Sequence, residues 1–552
     1  MLLPNSLNKC FEASVASHWN LVAMSDYNGE NFTYKHVAEE MAKLHILFEE
    51  AGLKPGDKIA ICGRNQSRWA MAFLATLTYG AVAVPVLHEF HPEQIHGIVN
   101  HSDAKILFVG DIVWSKLDPD KMPNLIGILN NTNFEAFVSR EERFTLALKN
   151  VNRLFCERYP NRFAPEFVSY HYDQPDDLAV INYTSGTTSN SKGVMIPYRA
   201  LWSNLKFAVE VYGSHSKEGD NVVSMLPLAH TYGMSFEFIF EFVYGLHITF
   251  LTKMPTPRIL MQAFSELKPV VLVCVPLILE KIVRKAILPK IDNPKVRLML
   301  RTPVVGNRIR KHICDGLKEA LGGNIYEVII GGSALNKEIE DLLHDIGFNY
   351  TVGYGATECS PIIGYEDWHN FVPGSCGKAA PRMDVVVNSN DPQNVPGEIL
   401  VQGMNVMLGY YKNPEATEET LQGGWYHTGD LGVIDSEGNI FIRGRIKNML
   451  LGSNGQNIYP EEIEDKLVSM PMVAETVVIQ ENEKLVGLVY PDMDQVQSLE
   501  LRPDDLTAIM NDNLSKLNEI LPAYERLAEI RIREEEFEKT PKKSIKRYLY
   551  TK

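Results

Sequence analysis

The chain has few of the features that mark exported or membrane-spanning proteins. Its seven cysteines are scattered and form no CxxC pair, which fits a reducing compartment better than a disulfide framework or a metal site. The first residues, Met1-Leu-Leu-Pro-Asn-Ser6, contain neither a basic segment nor a long apolar stretch, so they do not form a secretory signal. The longest apolar run, residues 270–279, is too short to cross a bilayer and contains Pro276. We expect a soluble, cytoplasmic protein and leave open a peripheral contact with a membrane surface.

An excess of positive charge is also absent. Lys and Arg number 54 against 69 Asp and Glu, and the net charge of −15 argues against general nucleic-acid binding. The hydrophobic content of 45% and the charged content of 22% are those of an ordinary globular protein. With 552 residues, the chain is too long for one compact core, which predicts more than one domain. It contains no internal repeat and no low-complexity linker.

A loop rich in hydroxyl groups and glycine does not match the P-loop of nucleoside triphosphatases. It reads Tyr183-Thr-Ser-Gly-Thr-Thr-Ser-Asn-Ser-Lys-Gly193. Apolar residues 178–181 and 194–196 flank it, which predicts a strand, a loop and a strand. Its hydroxyl groups, its glycines and Lys192 suit the β- and γ-phosphates of a nucleotide. A P-loop needs Gly directly before the Lys and Ser or Thr after it, whereas Ser191 and Gly193 stand there. For the loop alone, a polar surface turn remains an equal alternative.

Strands and helices alternate along the chain. Apolar residues recur at helical spacing over residues 34–51, and Gly52 marks the helix end. The strand patterns are 58–62, 81–85, 106–109, 178–181, 222–226, 270–274 and 328–330. This alternation predicts parallel sheets covered by helices. After Gly377, short strands and many glycines predict a small β-rich subdomain, and a break near residues 443–447 leaves room for one small α/β domain.

Two groups of side chains allow alternative interpretations. His88, His91, His96 and His101 match no zinc-binding spacing, so we predict histidines of loops and helix surfaces. The aromatic residues after position 234 are predicted to be mostly core, although a helix with aromatics on both faces could also wall a tunnel for an apolar ligand. They are Phe236, Phe238, Phe240, Phe242 and Tyr244.

Six motifs in a fixed order resemble those of the adenylate-forming superfamily, which includes acyl-CoA synthetases, adenylation domains of peptide synthetases and firefly luciferase. They are the loop 183–193, Pro227-Leu-Ala-His230, Gly331-Gly-Ser-Ala-Leu335, Tyr354-Gly-Ala-Thr-Glu358, Gly424-Trp-Tyr-His-Thr-Gly-Asp430, and Gly444-Arg-Ile-Lys-Asn448 with Asn457-Ile-Tyr-Pro-Glu-Glu-Ile-Glu464. The resemblance covers almost the whole chain and is greatest to long-chain fatty acyl-CoA synthetases. It implies an α/β fold with a large N-terminal domain (1–445), containing two doubly wound α/β subdomains and a small β-barrel-like subdomain. A small mobile α+β domain (446–552) would follow.

The resemblance also implies a reaction in two halves. A carboxylate attacks the α-phosphate of ATP, with Mg²⁺, to give acyl-AMP and pyrophosphate, and the thiol of coenzyme A then displaces AMP. The implied partners are small molecules (a fatty acid, ATP and coenzyme A) without nucleic acid, and the chain is expected to be a monomer or a homodimer. Two alternatives stay open: an acyl-AMP ligase that passes its product to a separate carrier protein, and a binding homologue with weakened catalysis.

Residue by residue, the resemblance assigns a nucleotide site. The pyrophosphate would be held by Thr184, Ser185, Gly186, Thr187, Thr188 and Lys192. The adenine slot would be walled by Gly331, Gly332, Ser333, Tyr354 and Gly355, and a phosphate would be contacted by Thr357. Glu358 would bind Mg²⁺, with Thr184 as a further metal ligand. Asp430 would accept hydrogen bonds from the ribose hydroxyls, with Arg445 supporting the same region.

Three further residues would act around the acyl group and coenzyme A. His230 would control access of the carboxylate to the α-phosphate. Because no Asp occurs among residues 231–236, an amino-acid substrate is not expected, and the nearby Phe residues favour an apolar acid. Lys447 would be the hinge about which the C-terminal domain rotates, and Gly455 would line the channel for pantetheine. A hydrogen-bonded loop histidine and a solvated lysine are the simpler alternatives for His230 and Lys447.

The end of the chain departs from the family pattern. The family carries a lysine in Thr-Gly-Lys-Ile-x-Arg that reaches the α-phosphate, whereas this chain reads Thr540-Pro-Lys-Lys-Ser-Ile-Lys-Arg547. Alignment of the Ile and the Arg places Ser544 at the lysine position. Lys543 and Lys546 are equal candidates to replace it, because a lysine side chain is long and its charge compact. A basic tail without a catalytic role is the alternative.

Overall fold

The computed structural model describes residues 2–184, 191–253, 256–291, 296, 299–300, 302–451, 457–482, 484–540 and 545–551. The fold is α/β, with a large N-terminal part and a small C-terminal α+β part, which confirms the predicted fold class. Among these residues, no helix is long and apolar enough to cross a membrane.

The strands of the N-terminal α/β region come first in the chain. They are β1 (Val22–Asp26), β2 (Asn31–Thr33), β3 (Lys58–Cys62), β4 (Val82–Val86), β5 (Ala104–Val109), β6 (Gly127–Asn130), β7 (Ala136–Ser139), β8 (Leu178–Tyr183), β9 (Gly193–Pro197), β10 (Asn221–Ser224), β11 (His247–Phe250), β12 (Val271–Cys274), β13 (Glu327–Ile330) and β14 (Tyr350–Val352). Shorter or antiparallel strands follow. They are β15 (Tyr354–Gly355), β16 (Ile362–Tyr365), β17 (Lys378–Ala379), β18 (Met383–Asn388), β19 (Gly397–Gly403), β20 (Gly409–Tyr410), β21 (Leu421–Gln422), β22 (Trp425–Ile434), β23 (Ile440–Arg445), β24 (Leu450–Leu451), β25 (Asn457–Ile458), β26 (Val473–Glu481), β27 (Lys484–Pro491) and β28 (Leu527–Ile532).

The α-helices lie mainly between the strands of the first half. They are α1 (Leu7–Ser17), α2 (Tyr34–Ala51), α3 (Ser67–Tyr79), α4 (Pro92–His101), α5 (Asp111–Trp114), α6 (Glu142–Arg158), α7 (Tyr198–Tyr212), α8 (Thr231–Met234), α9 (Phe240–Tyr244), α10 (Pro257–Leu267), α11 (Pro276–Ala286), α12 (Leu288–Ile291), α13 (Pro303–Ala320), α14 (Lys337–Asp345), α15 (Pro414–Thr420), α16 (Pro460–Val468), α17 (Met493–Ser498) and α18 (Pro503–Ile520). A π-helical turn, Ser235–Ile239, joins α8 to α9.

Local sequence explains the bounds of the helix predicted over residues 34–51. The hydroxyl of Thr33 accepts a hydrogen bond from the His36 amide at 3.3 Å, which satisfies a free N–H at the start of α2. Gly52 follows the helix with a φ of +83°, a conformation that suits glycine and ends the helix. The prediction of this helix and of its end is confirmed.

Three sheets organise the N-terminal part. The largest has the order β20-β9-β8-β4-β3-β5-β6-β7, and its strands from β8 to β6 run parallel. The second has the order β10-β11-β1-β2, and the third, β12-β13-β14, is fully parallel. The Val270 amide donates to the Asn221 carbonyl at 3.4 Å, which links the edges of the second and third sheets. Their apolar strands fit sheets that are covered on both faces.

The prediction for the four histidines is partly wrong. His91 caps α4, and its ring accepts a hydrogen bond from the Glu93 amide, as expected for a helix end. His96 is only 4% exposed, and its Nε2 accepts a hydrogen bond from the Asp118 amide at 3.0 Å. His96 is therefore a core residue that holds the following loop, because sequence spacing alone does not show which face of α4 is covered.

After β14 the strand pairing becomes mainly antiparallel, although β27 and β28 still pair in parallel. Strands β18, β19, β22 and β21 form one antiparallel sheet, and β23 pairs with β22. The C-terminal sheet has the order β26-β27-β28 and packs on α16 and α18 around its own apolar core. Arg547 forms a half-buried ion pair with Glu464, which fastens this segment to α16. The domain boundary between residues 445 and 446 stays a prediction.

Candidate active site

A crevice of about 930 Å³ brings together most of the residues that the sequence predicts for the nucleotide site. Of these residues, the lining includes Thr184, Lys192, His230, Gly331, Gly332, Tyr354, Gly355, Thr357, Glu358, Arg445 and Lys447. Asp430 contacts the crevice through Tyr354 and Arg445. Ser333 is exposed and is not part of the lining. The predictions for Ser185, Gly186, Thr187, Thr188, Gly455 and Lys543 concern residues outside the described part of the chain.

The crevice lies where parallel strands end. The strand β8 ends at Tyr183, and β12, β13 and β14 end at Cys274, Ile330 and Val352. The carboxyl ends of parallel strands are the usual place for ligands in open α/β sheets, because the loops that follow neighbouring strands meet there. The motifs at 184, 331 and 354 each begin within two residues of such an end.

Glycine is required where the third sheet meets the crevice. A Cβ atom on Gly331 would lie 2.9 Å from the ring of Tyr232, too close for a normal contact. The Tyr232 hydroxyl lies 3.2 Å from the Ile329 carbonyl and donates to it, which fixes the ring beside the glycine. The pair Gly331 and Tyr232 therefore keeps a flat surface next to the predicted adenine slot.

Asp430 is held between a tyrosine and an arginine. The Tyr354 hydroxyl donates to Oδ2 at 2.6 Å, and Arg445 Nε lies 2.6 Å from Oδ1. The pairing of β22 with β23 sets Asp430 opposite Arg445. Burial raises the pKa of the Asp430 carboxyl, and the positive charge of Arg445 opposes that effect. Both carboxylate oxygens thus face strong donors, the arrangement that two ribose hydroxyls also need.

Lys192 and Glu358 are connected through Tyr410, a residue that the sequence analysis missed. The Lys192 ammonium lies 4.5 Å from the centre of the Tyr410 ring, and the Tyr410 hydroxyl donates to Glu358 Oε1 at 2.9 Å. Burial and the charge of Glu358 raise the pKa of Tyr410, so the phenol keeps its proton and remains a donor. The Thr184 amide donates to the Lys192 carbonyl at 3.0 Å, which joins the two ends of the loop 183–193.

The donor set at this end of the crevice fits Mg²⁺. Glu358 and Thr184 provide a carboxylate and oxygen atoms, which are the hard ligands that Mg²⁺ prefers. The described residues contain no group of three or more His, Cys, Asp or Glu that could hold a metal on its own. Mg²⁺ usually keeps several waters and is held by one or two carboxylates together with the phosphates of a nucleotide.

His230 begins the short helix α8 at the wall of the crevice. Its Nδ1 accepts a hydrogen bond from the Tyr232 amide at 3.2 Å, so the neutral ring carries its proton on Nε2. The neighbouring loop is held by Glu237, whose carboxyl accepts hydrogen bonds from the Met225 and Leu226 amides at 2.9 and 2.7 Å. The histidine is therefore both a helix cap and a donor beside the crevice.

One end of the crevice is apolar and aromatic. Its lining residues are Phe207, Tyr212, Phe236, Val273, Ile329 and Tyr365. The ring centroids of Phe207 and Tyr365 lie 5.3 Å apart, and those of Phe207 and Phe236 lie 5.9 Å apart. Of the predicted tunnel aromatics, Phe236 lines the crevice, whereas Phe238 and Phe242 are fully buried core residues. Phe207, Tyr212 and Tyr365 were not predicted, because they come from α7 and β16.

A buried carboxyl anchors this aromatic wall. The Tyr365 hydroxyl donates to Glu327 Oε1 at 3.1 Å, and Glu327 is 1% exposed. Burial raises the pKa of Glu327 to about 8, so the group is mostly protonated at neutral pH. The aromatic wall is therefore mostly uncharged at neutral pH, although the carboxyl group of Glu327 lies directly behind Tyr365.

Of the two lysines predicted near the C-terminal end of the site, one lines the crevice and the other does not. Lys447 lines the crevice in the turn after β23, where Asn448 Nδ2 donates to Glu461 Oε1 of α16 at 2.6 Å. Lys546 is not part of the lining; its ammonium lies 3.2 Å from Glu538 Oε2. The structure therefore brings Lys447 to the site and leaves Lys546 outside it.

Comparison with known proteins agrees with this geometry. Residues 11–411 match the family described as AMP-binding enzyme, and residues 447–552 match its C-terminal domain. A long-chain-fatty-acid–CoA ligase of Escherichia coli is 26% identical over 498 residues, which cover 86% of this chain and 82% of that protein. Long-chain-fatty-acid–CoA ligase 5 of Rattus norvegicus is 28% identical, with 84% and 72% covered.

Solved structures share the fold over the full length. The anthranilate CoA ligase AuaEII in complex with anthranoyl-AMP has a TM-score of 0.79 at 19% identity and covers 100% of this chain and 97% of its own. ATP-bound MatB from Rhodopseudomonas palustris has a TM-score of 0.74 at 21% identity, with 99% and 98% covered. At these identities the likeness establishes the fold. With the family match over residues 11–411, the chain belongs to the AMP-binding enzyme family, within the adenylate-forming superfamily.

Proposed function

We propose that this protein is an acid–thiol ligase that activates a fatty acid with ATP and transfers the acyl group to coenzyme A. The observation that carries the proposal is one crevice with three chemically different parts. Lys192 and Glu358 lie at a phosphate end, Asp430 and Arg445 at a ribose end, and an uncharged aromatic pocket at the third. The relatives named long-chain-fatty-acid–CoA ligases support a long-chain acid as the substrate.

The phosphate end would stabilise the leaving pyrophosphate. The Lys192 ammonium, held over Tyr410, supplies positive charge where negative charge accumulates. Glu358 and Thr184 would hold Mg²⁺, which neutralises charge on the phosphates when it is bound. Among the loop residues, Ser185, Gly186, Thr187 and Thr188 remain predicted phosphate ligands, and Thr357 of the crevice lining is a further one.

The ribose end would orient the nucleotide. Asp430 accepts a hydrogen bond from Tyr354 and forms an ion pair with Arg445, and the two ribose hydroxyls would share or replace these contacts. Gly331, Gly332 and Gly355 would let the adenine approach the backbone, with Tyr354 beside the base. Ser333 is a weaker candidate, since it is outside the lining. These contacts would present the α-phosphate to the acyl pocket.

The acyl end would accept an apolar carboxylic acid. Its lining side chains are aromatic or aliphatic, and the nearby Glu327 is mostly neutral. His230 lines the same crevice, and its Nε2 proton would contact the carboxylate or the α-phosphate. A carboxylate oxygen would attack the α-phosphorus, and the bond to the leaving pyrophosphate would break, with the positive charge of Lys192 in the same crevice.

The second half-reaction would need movement of the C-terminal domain. We place the domain boundary between residues 445 and 446, directly before the turn that contains Lys447. Lys546 pairs with Glu538 and is not part of the crevice lining, so it would have to reach the α-phosphate in another orientation of this domain, and Lys543 remains a predicted alternative. Gly455 remains the predicted contact for pantetheine. A cytoplasmic location and a monomeric or homodimeric state belong to the same proposal.

A pyrophosphate-release assay tests the function. Acids from acetate to palmitate, and aromatic acids, are supplied with ATP and Mg²⁺, with and without coenzyme A. We expect release with a fatty acid and formation of its CoA thioester. The variant Glu358→Ala should lose Mg²⁺-dependent release without a change in thermal stability, and Glu415→Ala, an exposed change on α15, should behave as wild type.

Each alternative function predicts a different result in this assay. Release without thioester formation would favour an acyl-AMP ligase that serves a separate carrier protein. The absence of release with every acid would favour a binding homologue, which the serine at position 544 makes a real alternative. Full activity of Glu358→Ala would contradict the role of Glu358.

A further inference from the structure

The crossover between β12 and β13 concentrates positive charge in an otherwise acidic chain. Residues 277–312 contain ten Lys and Arg but only two acidic residues, a net charge of +8. The whole chain carries −15, so the rest of it carries −23. The charge of this segment is therefore opposite in sign to that of the rest of the chain, and it creates a local positive potential.

The helix α11 presents part of this charge on one face. Lys281, Arg284 and Lys285 are exposed and follow Leu277, which is 45% exposed, at helical spacing. The opposite face, with Leu279, Ile282 and Val283 at 0% exposure, packs into the second apolar core. Within the described part of the chain, Lys281, Arg284 and Lys285 make no ion pair and no hydrogen bond.

The acidic residue of α11 offsets only part of this charge, because Glu280 interacts electrostatically with Arg284 and not with Lys281 or Lys285. Glu280 is half-buried, and its carboxylate accepts a hydrogen bond from the Asn336 amide at 3.0 Å. It is therefore turned towards the start of α14. The three basic side chains remain available to an external partner.

The helix α13 extends the face with apolar and basic residues. Val304 and Val305 are 69% and 46% exposed, and Arg308 and Lys311 are exposed one turn later. The helices α11 and α13 pack against each other, and both belong to the crossover that covers one side of the third sheet. We call Leu277, Lys281, Arg284, Lys285, Val304, Val305, Arg308 and Lys311 the basic face.

We propose that the basic face docks the protein onto a membrane surface that contains anionic lipids. Basic side chains next to exposed aliphatic ones are the combination that interfacial binding needs, because the charges meet headgroups while the aliphatic groups enter the acyl boundary. A nucleic acid would use the charges but would leave Val304, Val305 and Leu277 exposed. The acidic remainder of the chain is repelled by the same surface, so the protein binds in one orientation.

Vesicle co-sedimentation tests the proposal with the full-length protein. Vesicles of phosphatidylcholine alone are compared with vesicles of equal parts phosphatidylcholine and phosphatidylglycerol. We expect binding only to the anionic vesicles, and its loss at high salt, where charges are screened. The variant Lys281→Gln/Arg284→Gln/Lys285→Gln should bind about 100-fold more weakly, because each basic residue near the surface contributes roughly fivefold to binding. Val304→Ser/Val305→Ser should weaken binding with its charges intact.

A matched variant separates the basic face from net charge. Lys105→Gln/Lys116→Gln/Lys149→Gln removes the same charge from exposed positions elsewhere, and we expect its vesicle binding to equal that of the wild type. Equal losses for the two triple variants, or equal binding to both kinds of vesicle, would overturn the proposal. So would stronger binding to double-stranded DNA than to anionic vesicles at the same salt. Unchanged thermal unfolding of each variant shows that a loss of binding is not a loss of fold.

Discussion

Tyr410 joins the two charged side chains at the phosphate end of the crevice. Its ring lies under the Lys192 ammonium, and its hydroxyl donates to Glu358. We expect Tyr410→Phe to slow adenylation, because Glu358 loses a donor that fixes its orientation. A hydrogen bond to a charged group contributes about 1.5–3 kcal/mol, so the rate should fall roughly 10- to 100-fold in a pyrophosphate-release assay.

The neighbouring tyrosine provides the control for this prediction. The Tyr411 hydroxyl donates to Asp103 at 2.9 Å and does not reach the crevice lining. Tyr411→Phe should therefore retain most of the adenylation rate while losing a comparable hydrogen bond. A wild-type rate for Tyr410→Phe would show that Glu358 is oriented without the tyrosine.

At the residue scale, the sequence predicts side chains that belong to motifs and misses those brought in by pairing. The loop pattern pointed to Lys192, and the resemblance of the motifs to the family assigned Glu358 and Asp430; the structure places all three at one crevice. Tyr410 reaches the site because β20 pairs with β9, where Tyr410 lies opposite Val194. That pairing joins positions more than 200 residues apart, so it cannot be predicted from local sequence spacing.

At the scale of elements, the end of α7, the π-helical turn and β16 together close the acyl pocket. Tyr365 closes it with its ring and is fixed by the hydrogen bond to Glu327. We expect Tyr365→Ala to shift the preference towards longer acids, because each newly buried CH₂ contributes about 0.8 kcal/mol. The ratio of kcat/KM for an acid longer by two methylenes to kcat/KM for the acid that the wild type prefers should be roughly tenfold higher in the variant than in the wild type. A chain-length series measures this shift.

Tyr365→Phe is the matched variant for the pocket wall. It keeps the ring and removes only the donor to Glu327, so the chain-length preference should stay as in the wild type. Its stability should fall by about 1–3 kcal/mol, since a buried carboxyl loses a partner. An unchanged preference in Tyr365→Ala, with the protein folded, would place the end of the acyl pocket elsewhere.

Elements were easier to predict than their contacts. The helix from Tyr34 and the strands β3, β5 and β12 follow from apolar spacing and from turn residues. The aromatic residues between 236 and 244 could not be divided into lining and core from sequence, because the π-helical turn Ser235–Ile239 changes the helical periodicity in that segment. Phe236 faces the crevice, whereas Phe238 enters the core.

At the scale of the whole molecule, one short turn connects the two parts of the protein at the crevice. Arg445 ends β23 opposite Asp430, and Lys447 follows two residues later within the lining. Asn448 then contacts Glu461 of α16. The sequence predicted the position of this turn. It could not predict which orientation of the C-terminal domain the structure shows, because that depends on weak contacts between surfaces.

The turn leads to a prediction about the order of the reaction. Lys447→Pro fixes one φ angle and should restrict rotation of the C-terminal domain, so one half-reaction should slow by at least about tenfold more than the other. Pyrophosphate release measures adenylation, and thioester formation from supplied acyl-AMP measures the second half. Lys447→Ala removes the same side chain but leaves the backbone free, and both of its rates should change together. If Lys447→Pro lowers the two rates equally while the protein remains folded, the turn does not act as a hinge, and Lys546, which lies outside the crevice lining, would then take no part in adenylation.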